Sequence, residues 1–124
     1  MEKRILIIED DLNILEILNF IFKDEGFEVI SNNEGMPLNE IESFQPDIIL
    51  LDVRIGGYEK TGAQICIELK EFAETRDVPV ILLSAEAGLA KIAKKCGADA
   101  FISKPFEIHH LVNKVEELIH SRTT

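Results

Sequence analysis

The sequence is poor in positive charge, has few cysteines and contains no long apolar run. Thirteen lysines and arginines face 23 aspartates and glutamates, a net charge of -10 at pH 7. A chain this acidic repels the phosphate backbone of nucleic acid and the surface of anionic lipid, so direct binding to either is not expected. Cys66 and Cys96 stand inside apolar helical patterns without CxxC or Cys/His spacing. That context predicts buried, reduced thiols rather than a disulfide or a zinc site. The start of the chain, "MEKRILIIEDD", breaks its apolar run with three acids. This is the pattern of neither a signal peptide nor a membrane span, and the expected location is cytoplasmic. Repeats, low-complexity tracts and Ser/Gly linkers are also missing. With 124 residues, 46% of them hydrophobic and 29% charged, the expectation is one globular domain over residues 1–124, not a disordered chain.

What is present is an alternation. Short apolar runs of strand length recur at Ile5–Ile8, Phe27–Ile30, Ile48–Leu51, Val80–Leu83 and Ala100–Ile102, with helically spaced segments between them. Ile14, Leu15, Leu18, Ile21 and Phe22 mark one helical face; Ile108, Leu111, Val112, Val115, Leu118 and Ile119 mark another. Gly26 and Gly97 fit helix stops, Pro46 and Pro79 precede the third and fourth runs, and a short second helix is expected near Met36 to Phe44. Apolar strands each followed by a helix predict an α/β domain, a five-stranded parallel sheet doubly wound with right-handed crossovers. Ligands of such sheets bind outside the carboxyl ends of the strands.

Those ends are polar. Glu9, Asp10 and Asp11 follow the first run, Asp52 the third, Ser84 the fourth, and Ser103 and Lys104 the fifth. Taken singly, each is an ordinary turn or cap residue. As a set they bring carboxylates, a hydroxyl and an ammonium to one rim. Carboxylates on neighbouring strands repel one another and demand a counter-ion, and oxygen donors without nearby His or Cys favour Mg2+ over zinc. Magnesium keeps waters that a phosphate can replace. A carboxylate beside it can attack phosphorus, giving an aspartyl phosphate, once cations neutralise the equatorial oxygens.

The stretches "ILIIEDD", "IILLDV", "VILLSA" and "GADAFISKPF" occur in the order and near the spacing of the response-regulator receiver domains of two-component signal transduction, and the chain resembles that family over essentially its whole length. The resemblance implies the flavodoxin-like (βα)5 receiver fold with strand order 2-1-3-4-5. It also implies a phosphoprotein in which Asp52 takes a phosphoryl group from a phosphohistidine on a sensor histidine kinase or histidine phosphotransfer protein. Asp10 and Asp52 would ligate Mg2+ directly, Glu9 mainly through water, and Arg54 by its backbone carbonyl. Ser84 would bond the phosphoryl group, the small Ala85 would leave room for that movement, and Lys104 would pair with a phosphoryl oxygen. Phe101 would be the switch aromatic, although an apolar strand accounts equally for a plain core residue there. Lys104 and Pro105 resemble the family's cis peptide; the alternative is Pro105 in the first turn of the last helix. Arg54 and Glu86 would tune phosphoryl lifetime. Asp11 is left over and fits a helix cap.

The implied readout lies on helix 4, strand 5 and helix 5, toward an output protein or a C-terminal output domain, and a phosphorylation-dependent homodimer is compatible with it. Lys91, Lys94 and Lys95 on that face are either partner contacts or ordinary solvated surface, and His109 and His110 fit surface residues. The protein would be no enzyme beyond its own phosphorylation and dephosphorylation. Rival classes are an aspartyl-nucleophile phosphatase, which should carry a second acid where Arg54 stands; a phosphorylation-independent interaction module, which would lack Asp52 or Lys104; and a cofactor-binding flavodoxin-like module, which would need an anion-binding loop where "EDDLN" stands. The family usually continues D-x-x-M-P-x-x-x-G after the acceptor. Here Ile55 and Gly56 stand for Met and Pro, and Gly62 falls two positions late. Gly56 and Gly57 are expected to turn with positive φ, and Tyr58, Glu59 and Lys60 to form a surface peculiar to this chain.

Overall fold

A computed structural model describes residues 2–123. The apolar runs form β1 (Arg4–Ile8), β2 (Glu28–Asn32), β3 (Ile48–Leu51), β4 (Val80–Ser84) and β5 (Ala100–Ser103). Between and after them come α1 (Leu12–Asp24), α2 (Leu38–Phe44), α3 (Gly62–Glu71), α4 (Leu89–Cys96) and α5 (Ile108–Thr123). All strand pairs are parallel, in the order β2-β1-β3-β4-β5. Because side chains alternate across a strand, the central strands feed two cores. Leu6, Ile8, Ile49, Leu51, Val80 and Leu82 pack with Ile41, Ile65, Cys66, Leu69, Ala93 and Cys96 from α2, α3 and α4. Ile5, Ile7, Ile48, Leu50, Ile81 and Leu83 pack with Leu18, Phe22, Leu111 and Val115 from α1 and α5. The residues of β1 from Ile5 to Ile8, and all of β3 and β4, are essentially solvent-free.

Several expectations shift. The edge strands β2 and β5 are only partly covered, so not every strand is buried on both faces. The second strand begins at Glu28 rather than Phe27 and runs on to Asn32. Helix α2 begins at Leu38, and Met36 lies before it, 3% exposed within the core. Ile108, the first residue of α5, stays outside the core at 45% exposure. Cys66 and Cys96 are buried free thiols, and burial above all pushes Cys66 far up from its ordinary pKa. Among the described residues no helix is long and apolar enough to cross a membrane.

Register positions the rim. Ile8 pairs with Leu51, so the residues that follow, Glu9 and Asp52, emerge side by side, and the Asp52 N–H extends the ladder to the Ile8 carbonyl at 2.9 Å. Ser84 pairs with Ser103, and the Lys104 N–H reaches the Ser84 carbonyl at 2.9 Å. The strand order reverses at β1, between crossovers to either face, which is where an open α/β sheet leaves its crevice.

Candidate functional site: an acidic rim at the carboxyl ends of the strands

Glu9, Asp10 and Asp52 each offer an oxygen such that all lie within 4.8 Å of one another. Glu9 is 1% and Asp52 5% exposed, whereas Asp10 is open to solvent. Lys104 reaches back from the end of β5, with its Nζ 2.7 Å from Glu9 Oε1 and 3.3 Å from Asp52 Oδ2. One ammonium thus contacts two of the three carboxylates. Burial, then the hydrogen bond and charge of Glu9, push the Asp52 carboxyl up to about 7, against the opposing pull of Lys104. Burial depresses the Lys104 ammonium, but its contacts with Glu9 and Asp52 outweigh that and hold it above the usual lysine value.

The donor set fits a hard divalent cation. Lys104 meets the buried Glu9 Oε1 at 2.7 Å, and a carboxylate oxygen has lone pairs for more than one partner, so this oxygen can also face a cation. Residual negative charge, oxygen-only donors and one solvent-open carboxylate are what Mg2+ with retained waters requires.

The other predicted residues fall around this centre. Ser84 is buried at the end of β4, its Oγ accepting the Glu86 N–H at 3.1 Å; Ala85 is exposed beside it. Arg54 Nε donates to Glu86 Oε1, bridging the β3–α3 and β4–α4 loops. The Lys104–Pro105 peptide is cis, and Pro105 precedes α5 rather than opening it. Phe101 projects outward from β5, 44% exposed. Asp11 caps α1, its carboxylate accepting the N–H groups of Asn13 and Ile14. Lys91, Lys94 and Lys95 on α4 and His109 and His110 on α5 are exposed. A separate concavity of about 640 Å3 opens at the amino ends of the strands, near Arg4, Glu28 and Asp47, remote from this chemistry.

The loop after Asp52 holds what residue patterns did not announce. Ile55 to Tyr58 form a turn closed by a 3.3 Å bond from Tyr58 N–H to Ile55 carbonyl. Only Gly57 has positive φ, at 77°; Gly56 does not. Tyr58 is no free surface residue: its ring covers Gly35, where an added Cβ would stand 2.1 Å from Cδ2. Lys60 pairs with Glu68 at 2.6 Å. At Gly62 an added Cβ would stand 1.8 Å from the Asp52 carbonyl oxygen, so α3 meets the strand end backbone to backbone.

A doubly wound parallel sheet with a carboxylate-rich rim and a lysine reaching into it defines a class of open α/β domains whose carboxyl edge is compatible with a cation. The family model "response regulator receiver domain" matches residues 5–116, and the chain belongs to that family. It is 32% identical over 122 residues to the phosphate regulon transcriptional regulatory protein PhoB of Escherichia coli, covering 96% of this chain and 52% of that protein. The chain thus spans about half the length of the curated relatives it matches. The response regulator receiver domain protein (CheY-like) from Methanospirillum hungatei superposes with a TM-score of 0.89 at 27% identity, covering 99% of this chain and 98% of that one. The receiver domain of the sensor histidine kinase PA1611 from Pseudomonas aeruginosa, described with magnesium coordinated in its active-site cleft, shares the fold at a TM-score of 0.85 and 24% identity, covering 97% and 99%.

Proposed function

We propose that residues 1–124 act as a receiver unit in which Asp52 is the phosphoacceptor. The donor is a phosphohistidine on a histidine kinase or phosphotransfer protein. The N–P bond breaks, an Asp52 oxygen forms the new O–P bond, and the imidazole leaves. Glu9, Asp10, Asp52 and the backbone carbonyl of Arg54 would hold Mg2+, which supplies neutralisation of the phosphoryl oxygens. Lys104 stays at the Asp52 oxygens, where it can meet the same developing charge. Ser84 Oγ exchanges the Glu86 N–H for the phosphoryl group, drawing the β4–α4 loop inward. That movement, transmitted along β4 and β5 to Phe101 and α4, would be the signal read by an output domain or partner protein.

The observation that carries this reading is Asp52 itself: a carboxylate buried against Glu9, touched by Lys104, at the strand end the fold opens to solvent. The test is incubation with Mg2+ and acetyl phosphate, followed by mass spectrometry. One phosphoryl adduct, stable in mild acid and labile in base, is expected, and it should be absent from Asp52→Asn. An unchanged adduct in Asp52→Asn overturns the assignment, and no adduct in the wild type favours a phosphorylation-independent module.

A further inference from the structure

The rim carboxylates share a feature apart from Lys104: each accepts a backbone N–H. Asp11 N–H reaches Glu9 Oε2 at 3.1 Å, Arg54 N–H reaches Asp52 Oδ1 at 3.3 Å, and Gly56 N–H reaches Asp10 Oδ2 at 3.1 Å. The first two bonds are local, between residues two apart. The third joins residues 46 apart and ties the exposed Asp10 side chain to the β3–α3 loop. Lys104 bridges Glu9 and Asp52. Asp10, by contrast, sits in the more open part of the rim, where an unrestrained carboxylate would turn outward to water and away from two like charges.

We propose that Gly56 is a positioning residue for the cation, its N–H holding the Asp10 carboxylate beside Glu9 and Asp52. This rests on the reading of those three acids as the metal site. A hydrogen bond to one oxygen of a ligating carboxylate fixes its orientation and leaves the other oxygen to the ion. Partners of that kind commonly matter about as much as tenfold or more in metal affinity. The loop is built to keep the donor in place. Ile55 is buried, the turn from Ile55 to Tyr58 is closed, and Tyr58 is seated over Gly35. An added Cβ at Gly56 would lie 3.3 Å from Asp10 Oδ2, so the backbone approach is close.

The turn also supplies the clean substitution. Gly57, with φ 77°, occupies the third position of a turn whose second position is Gly56, and proline suits that second position when the third has positive φ. Gly56→Pro therefore removes the N–H while respecting the turn. Gly56→Ala retains the N–H and asks Asp10 to give only a few tenths of an ångström. Calorimetric titration with MgCl2 at constant pH and ionic strength should show Gly56→Pro binding about tenfold more weakly than wild type, with Gly56→Ala near wild type. Amide hydrogen exchange by NMR should show the Gly56 N–H protected in the wild type and unprotected in Asp10→Ala, a readout that also decides the matter if Gly56→Pro does not fold. Wild-type affinity in folded Gly56→Pro, equal losses in the alanine and proline variants, or an unprotected Gly56 amide in the wild type overturns the proposal. Undiminished Mg2+ binding by Asp10→Ala sinks the metal-site reading instead, while leaving the Gly56 bond visible in the exchange data.

Discussion

Asp52 makes the stability of the metal-free protein depend on pH in the direction opposite to that of an ordinary salt-bridged carboxylate. Its pKa is about 7 in the folded chain and 3.8 as the unperturbed reference. Between those values the folded state binds a proton that the unfolded state does not. Stability is therefore highest at the acidic end of the window and falls as pH rises through it, the full cost being present above the folded pKa. From about pH 8 down to about pH 5.5 the folded form gains roughly 2 kcal/mol from this one group, which for a chain of this size is on the order of 5–10 °C in Tm. The assay is thermal unfolding of EDTA-treated protein across that range, for wild type and for Asp52→Asn. Subtracting the second from the first removes the contribution of the three histidines. The rise on acidification should belong to the wild type alone. With saturating Mg2+ it should shrink, because a cation beside Asp52 opposes its protonation and adds most stability where the carboxylate is ionised. The reasoning is refuted if Asp52→Asn shows the same acid stabilisation as wild type, or if metal-free wild type loses stability between pH 8 and pH 6.

Other substitutions separate the scaffold from the chemistry. Gly62→Ala should destabilise by about 3 kcal/mol, the upper range for overpacking, because its Cβ would stand 1.8 Å from the Asp52 carbonyl oxygen. Phosphoryl labelling should fall with it, and a wild-type melt with full labelling would show that the contact is not there. Asp11→Ala should cost about 1 kcal/mol by uncapping α1, with acetyl phosphate labelling retained; lost labelling in a folded variant would make Asp11 part of the site. Gly35→Ala should expel the Tyr58 ring. With one tyrosine and no tryptophan in the chain, a fall in tyrosine fluorescence anisotropy reports that directly, and an unchanged signal argues against the Tyr58–Gly35 packing.

The residues legible in the sequence were those that acquire meaning as a set. A carboxylate at the end of a four-residue apolar run, or a lysine after an apolar strand, is an ordinary turn residue taken singly; placed at the ends of several strands of one parallel sheet, Asp52 and Lys104 became candidates together, and the central strands came with them. Apolar residues with two possible employers were harder to place. Phe27 looked like the start of a strand, yet its N–H closes α1 on the Phe22 carbonyl at 2.9 Å, and its ring meets Phe22 edge-on at 5.5 Å. It is the hydrophobic residue of a helix stop, a role that leaves the same mark in a pattern as a strand does. Met36 likewise is apolar because a loop buries it, not because a helix has begun.

Backbone donors leave no mark at all, and the loop after Asp52 depends on them. Its extra length and missing proline pointed to a turn at Gly56 and Gly57 and to a surface peculiar to this chain, and left its rigidity open. The loop is tied down: Gly62 N–H bonds the Val53 carbonyl at 2.7 Å, Gly56 N–H bonds Asp10, Ile55 is buried, and Tyr58 rests on a glycine 23 positions earlier. Proline would have stiffened the loop by fixing one φ angle, at the expense of an N–H. The glycine in its place gives up that stiffness and gains a donor, and the loop recovers its order from contacts distant in sequence. The substitution therefore links the loop to the acidic rim at a point where proline cannot, and makes the holding of Asp10 depend on the packing of Tyr58.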